Sequence, residues 1–209
     1  MKRVALLVDW ENFRKEINYL QQKDPYYKQF DYNDPDKIYD LFLSCFSPYE
    51  EIFKIFFYTA KPLKPQEIEE TFAKRPGCNA KKYLQIYKKE QQKIDRIIEV
   101  SENMLEELVK KDYISLRLGE LQVLGQMPDG NPVIAQKKVD MLIGLDIAHL
   151  AFNKQVEQIK VLCKDKDISP ALKVARISGI ITTLIDIGGF HISKDLYKHL
   201  DKVEKVQIL

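Results

Sequence analysis

Apolar and polar positions along this chain switch between two periods, and the switches predict its elements. Val4 to Val8 is an uninterrupted apolar run closed by Asp9. That is the pattern of a strand covered on both faces, as in a parallel sheet. Phe13, Ile17 and Leu20 then recur at helical spacing and predict a helix over 11–22. Asp24-Pro25 and Asn33-Asp34-Pro35 mark 23–36 as a loop. Ile38, Leu41, Phe42 and Phe46 predict a second helix, and the β-branched and aromatic stretch 52–58 a second strand. Pro62, Pro65 and Pro76 break 59–80 into loop and short helix. Ile94, Ile97, Ile98, Met104, Leu105 and Leu108 form the apolar stripe of a long, charged helix over 86–111. Residues 113–136 read as a strand with a hairpin partner at 132–136, turning at Pro128-Asp129-Gly130-Asn131. Further on, the pattern predicts a helix over 139–152, a strand over 158–163, a helix over 168–178 and a strand over 179–187. A final helix over 193–203 and a short strand at 206–208 end the chain.

Strands that alternate with helices predict the α/β class: a three-layer Rossmann-like fold around a mostly parallel central sheet. The 209 residues suit a single domain, 1–209, with 86–136 as a helix-plus-hairpin elaboration. Hydrophobic residues make up 45% of the chain, enough for a core, so global disorder is excluded. Lys and Arg number 33 against 31 Asp and Glu, a net charge of +2, which excludes a strongly basic or acidic tail. Cys45, Cys78 and Cys163 are scattered and form no CxxC. They argue against a disulfide framework or zinc knuckle and for a cytoplasmic, reducing home. The first apolar run is too short for a membrane span or signal-peptide core, so no membrane partner is expected.

In open parallel sheets the ligand site lies at the carboxyl ends of the strands, where strand order reverses. Asp9-Trp10-Glu11-Asn12 follows the first strand, and Lys164-Asp165-Lys166-Asp167 follows the strand ending at Cys163. Asp140 opens the 139–152 helix behind Lys137-Lys138. If the first and 158–163 strands are neighbours, Asp9, Asp140, Asp165 and Asp167 converge. Crowded carboxylates repel one another, and a divalent cation is the usual remedy. Hard oxygen donors select Mg²⁺ or Mn²⁺ over zinc, and such sites serve phosphodiester hydrolysis. Each acid also has a plain structural role: Asp9 and Asp167 as helix N-caps, Asp140 as a first-turn acid facing the helix dipole. No Walker loop, GxGxxG or HExxH motif is present.

Val8-Asp9-Trp10-Glu11-Asn12, Lys138-Val139-Asp140 with Asp146 six residues on, and Asp165-Lys166-Asp167-Ile168-Ser169-Pro170 resemble the three motifs of NYN-domain proteins. These are LabA-like members of the PIN-like nuclease superfamily. The likeness runs through nearly the whole chain and is weakest between residues 60 and 135. It implies a PIN-like fold, an acidic Mg²⁺ or Mn²⁺ site and endoribonuclease activity. By the resemblance, Asp9, Asp140, Asp165 and Asp167 match metal ligands, Asn12 a supporting residue of the site, and Asp146 a recurrent helix acid. The chain departs from the family pattern in having Trp10-Glu11 where Gly follows the first Asp. It also has Cys163-Lys164 in place of Ser-Gly and Ile168 in place of Phe.

RNA is the partner this implies, and a homodimer is a common state for so small a domain. Trp10 is a candidate to stack on a base, and Lys137, Lys138 and Lys164 to meet phosphate. In residues 81–96, Lys81, Lys82, Lys88, Lys89, Lys93 and Arg96 outnumber Glu90 and Asp95, with Tyr83 and Tyr87 between them. That pattern reads as an RNA-tracking surface with stacking aromatics or as a solvated helix face. The alternative for the whole chain is a catalytically idle RNA-binding or regulatory protein of the same fold.

Overall fold

The computed structural model describes residues 1–208; Leu209 lies outside the described residues. β1 (Lys2–Asp9) carries six consecutive buried residues from Val4. It sits at the centre of a seven-stranded sheet of order β4-β3-β2-β1-β5-β6-β7. The other strands are β2 (Glu50–Ala60), β3 (Ile114–Gln126), β4 (Pro132–Lys137), β5 (Gln158–Leu162), β6 (Ile181–Asp186) and β7 (Lys202–Lys205). Every neighbouring pair is parallel except β3 and β4. The fold is thus the three-layer, mostly parallel α/β architecture that the alternation of strands and helices predicts.

The period of two along β1 explains the layers. Leu6 and Val8 point into a core beneath α1 (Trp10–Lys23), α2 (Pro35–Ser44) and the end of α4 (Ala80–Val109). Ala5 and Leu7 point into a second core beneath α5 (Val139–Phe152) and α6 (Ser169–Ile177). α3 (Pro65–Lys74), the start of α4 and the far end of β3 enclose a small third cluster of Ile68, Phe72, Tyr83 and Val123.

Three boundaries differ from the sequence expectation. α4 starts at Ala80 rather than 86, because Asn79 caps it by accepting the Lys82 N–H. Its helical geometry breaks at Glu90 (φ −113°, ψ 15°), and the two halves serve different cores. The predicted final helix shrinks to α7 (Lys194–Tyr197). There the Asp201 carboxylate accepts the Thr182 N–H and pairs with Arg176, turning the chain into β7. Residues 206–208 are consequently not a strand, although Ile208 is buried in the first core.

β3 changes partners midway, lying parallel to β2 over Ile114–Gly119 and antiparallel to β4 from Glu120. Gly119 sits at the changeover. A Cβ there would stand 2.6 Å from the Lys137 carbonyl oxygen and 2.7 Å from a Val139 methyl. The glycine lets the hairpin return close enough to launch α5. Among the described residues no helix is long and apolar enough to cross a membrane.

Candidate functional site

From β1 the chain builds outward through β2 and β3, then returns to build the other side through β5, β6 and β7. Strand order therefore reverses between β1 and β5, and a crevice opens at their carboxyl ends. Val8 pairs with Leu162, so Asp9 and Cys163 emerge side by side. A cleft of about 690 Å³ lies there, with Asp9, Asn12, Asp140 and Asp165 in its lining.

Asp9 is only 6% exposed. One carboxylate oxygen accepts the Asn12 N–H at 3.1 Å and so caps α1, while the other lies 3.6 Å from the Cys163 thiol. The capping role and the place in the cleft belong to the same side chain. Asn12 in turn accepts the Lys164 N–H through its side-chain oxygen at 3.0 Å, tying α1 to the loop after β5. In that loop the Asp165 carboxylate accepts the Asp167 N–H at 3.0 Å and caps a 3-10 turn over Lys166–Ile168. Asp140 occupies the first turn of α5.

Burial pushes the Asp9 carboxyl up to about 6, and the charges of Asp140 and Asp165 push the same way against the Asn12 N–H and the Cys163 thiol. Asp140 is also raised, by burial first and then by Asp165 and Asp167. Asp167 is exposed and outside the cleft lining, but its charge acts on Asp140, so the four acids, from three segments of the chain, share one electrostatic field. Among the described residues no three His, Cys, Asp or Glu side chains form a ready-made metal cluster. The donor chemistry fits a hard cation that keeps much of its water and takes one or two carboxylates plus a substrate phosphate.

No family model matches the chain, and no curated protein is significantly similar to it. Its structure is similar to the crystal structure of a Vibrio parahaemolyticus protein of unknown function. The TM-score is 0.51 at 17% identity, over 99% of this chain and 93% of that one. A likeness at that identity bears on the fold alone.

Several expected site residues lie elsewhere. Asp146, six residues past Asp140, is rotated some 240° around the helix. Its carboxylate accepts the Tyr58 hydroxyl at 2.8 Å and the Arg117 Nε at 2.9 Å, which removes it from the metal set. Lys164 does not reach outward to phosphate. Its ammonium is buried between Glu16 and Asp186 and donates to the Phe190 carbonyl as well. Trp10 does line the cleft, but it is only 6% exposed and packs on Phe13 and Phe57. Lys137 and Lys138 are exposed but outside the cleft lining, and Lys138 pairs with Glu120. Tyr83 is buried against Phe72 and Tyr87, which takes it out of any stacking surface.

The opposite wall of the cleft was not foreseen. It comes from the elaboration: Ile97, Ser101 and Met104 of α4, with Leu121, Ile134 and Gln136 of the hairpin. Arg14 and Lys15 supply positive charge on the α1 side, each paired with Glu11. Their spacing of three and four residues from Glu11 is a signal the sequence does carry. The wall residues, by contrast, become neighbours of Asp9 only through β3's change of partner.

Proposed function

We propose that the protein is a metal-dependent ribonuclease that hydrolyses RNA phosphodiester bonds at this cleft, the activity its resemblance to NYN-domain proteins of the PIN-like superfamily implies. One observation carries the reading. Asp9, Asp140 and Asp165 come from three different segments of the chain and line one cleft at the reversal of strand order. Helix capping accounts for Asp9 and Asp165 singly but not for their meeting with Asp140.

Asp9, Asp140, Asp165 and Asp167 would hold Mg²⁺ or Mn²⁺. Such an ion, when bound, supplies Lewis acidity at a phosphoryl oxygen and makes water nucleophilic near neutral pH. Asn12 fixes the Asp9 end of α1 to the Asp165 loop and so sets the spacing of the acids. Cys163 holds the second Asp9 oxygen and accepts the Asp165 N–H, linking the same two acids. Arg14 and Lys15, with the exposed Lys81, Lys88, Lys89, Lys93 and Arg96 of α4, offer phosphate contacts for a strand entering the cleft.

Lys164, turned inward onto Glu16 and Asp186 at a motif position where the family has Gly, favours one second reading, an RNA-binding or regulatory protein without turnover. Labelled RNA incubated with Mn²⁺ separates the two. Cleavage that disappears with EDTA and with Asp9→Asn supports the nuclease. Cleavage that survives Asp9→Asn removes it, and EDTA-insensitive binding without turnover under any divalent metal selects the second reading.

A further inference from the structure

A surface helix normally turns its charges to water and its apolar stripe inward. α5 departs from this by being apolar on both sides, with Val139, Ile143, Ile147 and Leu150 buried inward. Its two acids are both engaged with the rest of the fold, Asp140 at the cleft and Asp146 on Arg117 and Tyr58. Its solvent side carries Met141, Leu145, Ala148 and Phe152, spaced as one stripe. Met141, Leu145 and Phe152 are 57%, 59% and 71% exposed. His149, bonded to Asn153, is the polar group beside them. An uncharged stripe of this kind marks a face that is covered in use.

We propose that two copies of this chain pair through α5, the helices packing antiparallel across a two-fold axis. The sequence of the stripe is symmetric about the point between Asp146 and Ile147. Met141 and Phe152 are equidistant from it, and so are Leu145 and Ala148. Antiparallel pairing about that point sets each Met141 thioether against Phe152 of the partner subunit, a favourable sulfur–aromatic contact. It sets each Leu145 over the partner's Ala148, long against short. Such self-complementarity is what an isologous interface requires.

The area fits a second copy. At roughly 200 Å² per large side chain, Met141, Leu145 and Phe152 present about 370 Å² to solvent. The smaller stable interfaces bury about 600 Å² per partner, of which about 65%, or about 390 Å², is apolar in homodimers. The net charge of +2 leaves little repulsion between copies. Asp140 lies roughly 110° around α5 from the middle of the stripe, so the pairing leaves the cleft side of the helix free.

Sedimentation velocity of the full chain at micromolar concentration tests the proposal. The expected species has twice the 24.5 kDa chain mass. Leu145→Asp and Ala148→Arg should each give a folded monomer, with circular dichroism confirming the fold. Oxidation of a Leu145→Cys/Ala148→Cys double variant should trap a covalent dimer on a non-reducing gel. A wild type that is monomeric throughout overturns the proposal. So does a dimer that persists in whichever of the two charged variants folds.

Discussion

Replacing Asp9 by Asn should make the protein more stable while removing its proposed activity. In the unfolded chain the Asp9 carboxyl titrates near 3.8, and burial holds it near 6 in the fold. A folded-state value above the unfolded one means that the native protein binds the proton more tightly. Stability therefore falls as pH rises from about 4 to about 6, and the full cost remains at pH 7. The difference corresponds to about 3 kcal/mol at pH 7. Asn keeps the side chain's size and remains a favoured N-cap, so the Asn12 N–H at the start of α1 keeps its acceptor. The gain expected without metal is about 2–3 kcal/mol, or roughly 5–10 °C in Tm for a domain of this size. At pH 4 most of the gain should be lost, because Asp9 is then protonated in the fold and partly protonated in the unfolded chain. Thermal unfolding followed by circular dichroism in EDTA, from pH 4 to pH 8, reads this directly. A variant less stable than wild type at pH 7, or equally stabilised at both ends of the range, would refute the reasoning.

Mn²⁺ at a hundred times its dissociation constant should stabilise the wild type by about 2.7 kcal/mol, and Asp140→Asn should abolish that response. Asp146→Asn should leave the Mn²⁺ response intact while costing about 1–2 kcal/mol through the Tyr58 and Arg117 hydrogen bonds; a lost response would return Asp146 to the metal set. Lys164→Met leaves the buried Glu16 and the Asp186 carboxylates without their cation, and should cost about 3–5 kcal/mol in urea unfolding. An unchanged midpoint would show the charges to be solvated. Gly119→Ala drives a methyl into the Lys137 carbonyl and Val139 and should cost about 1–3 kcal/mol in a thermal melt. It should also lower cleavage, since α5 carries Asp140; full activity would show that the hairpin yields without moving α5.

The layered fold was legible because β1 and the central part of β2 are buried on both faces and carry unbroken apolar runs, and strands alternate with helices along the chain. The meeting of Asp9, Asp140 and Asp165 was legible for the same reason, since a parallel sheet sends its strand ends to one edge. Residues whose partners lie far off in sequence were not. Nothing local to Lys164 announces that Glu16 and Asp186 await it inside the fold, so a lysine beside an acid reads as a surface cation. Trp10 likewise follows the first acid, yet α1 turns it inward onto Phe57. Asp146 enters the candidate set through the resemblance alone, as a recurrent helix acid, and it faces a different way from Asp140. The end of the chain misled because the Asp201 carboxylate, bound to the Thr182 N–H, interrupts a pattern that otherwise continues as helix.

The break in α4 at Glu90 divides the molecule's cohesion unevenly. The second half of the helix shares the large core beneath the sheet, while the first half rests on four buried side chains. The α4 residues of the cleft wall, Ile97, Ser101 and Met104, lie past the break and rest on the large core, while the lysines before it ride on a cluster too small to hold its shape alone. Amides in residues 65–89 should exchange with deuterium well before those of β1 and β5. The exposed Lys81, Lys88 and Lys89 are therefore governed by a different equilibrium from the one that keeps the acids in register.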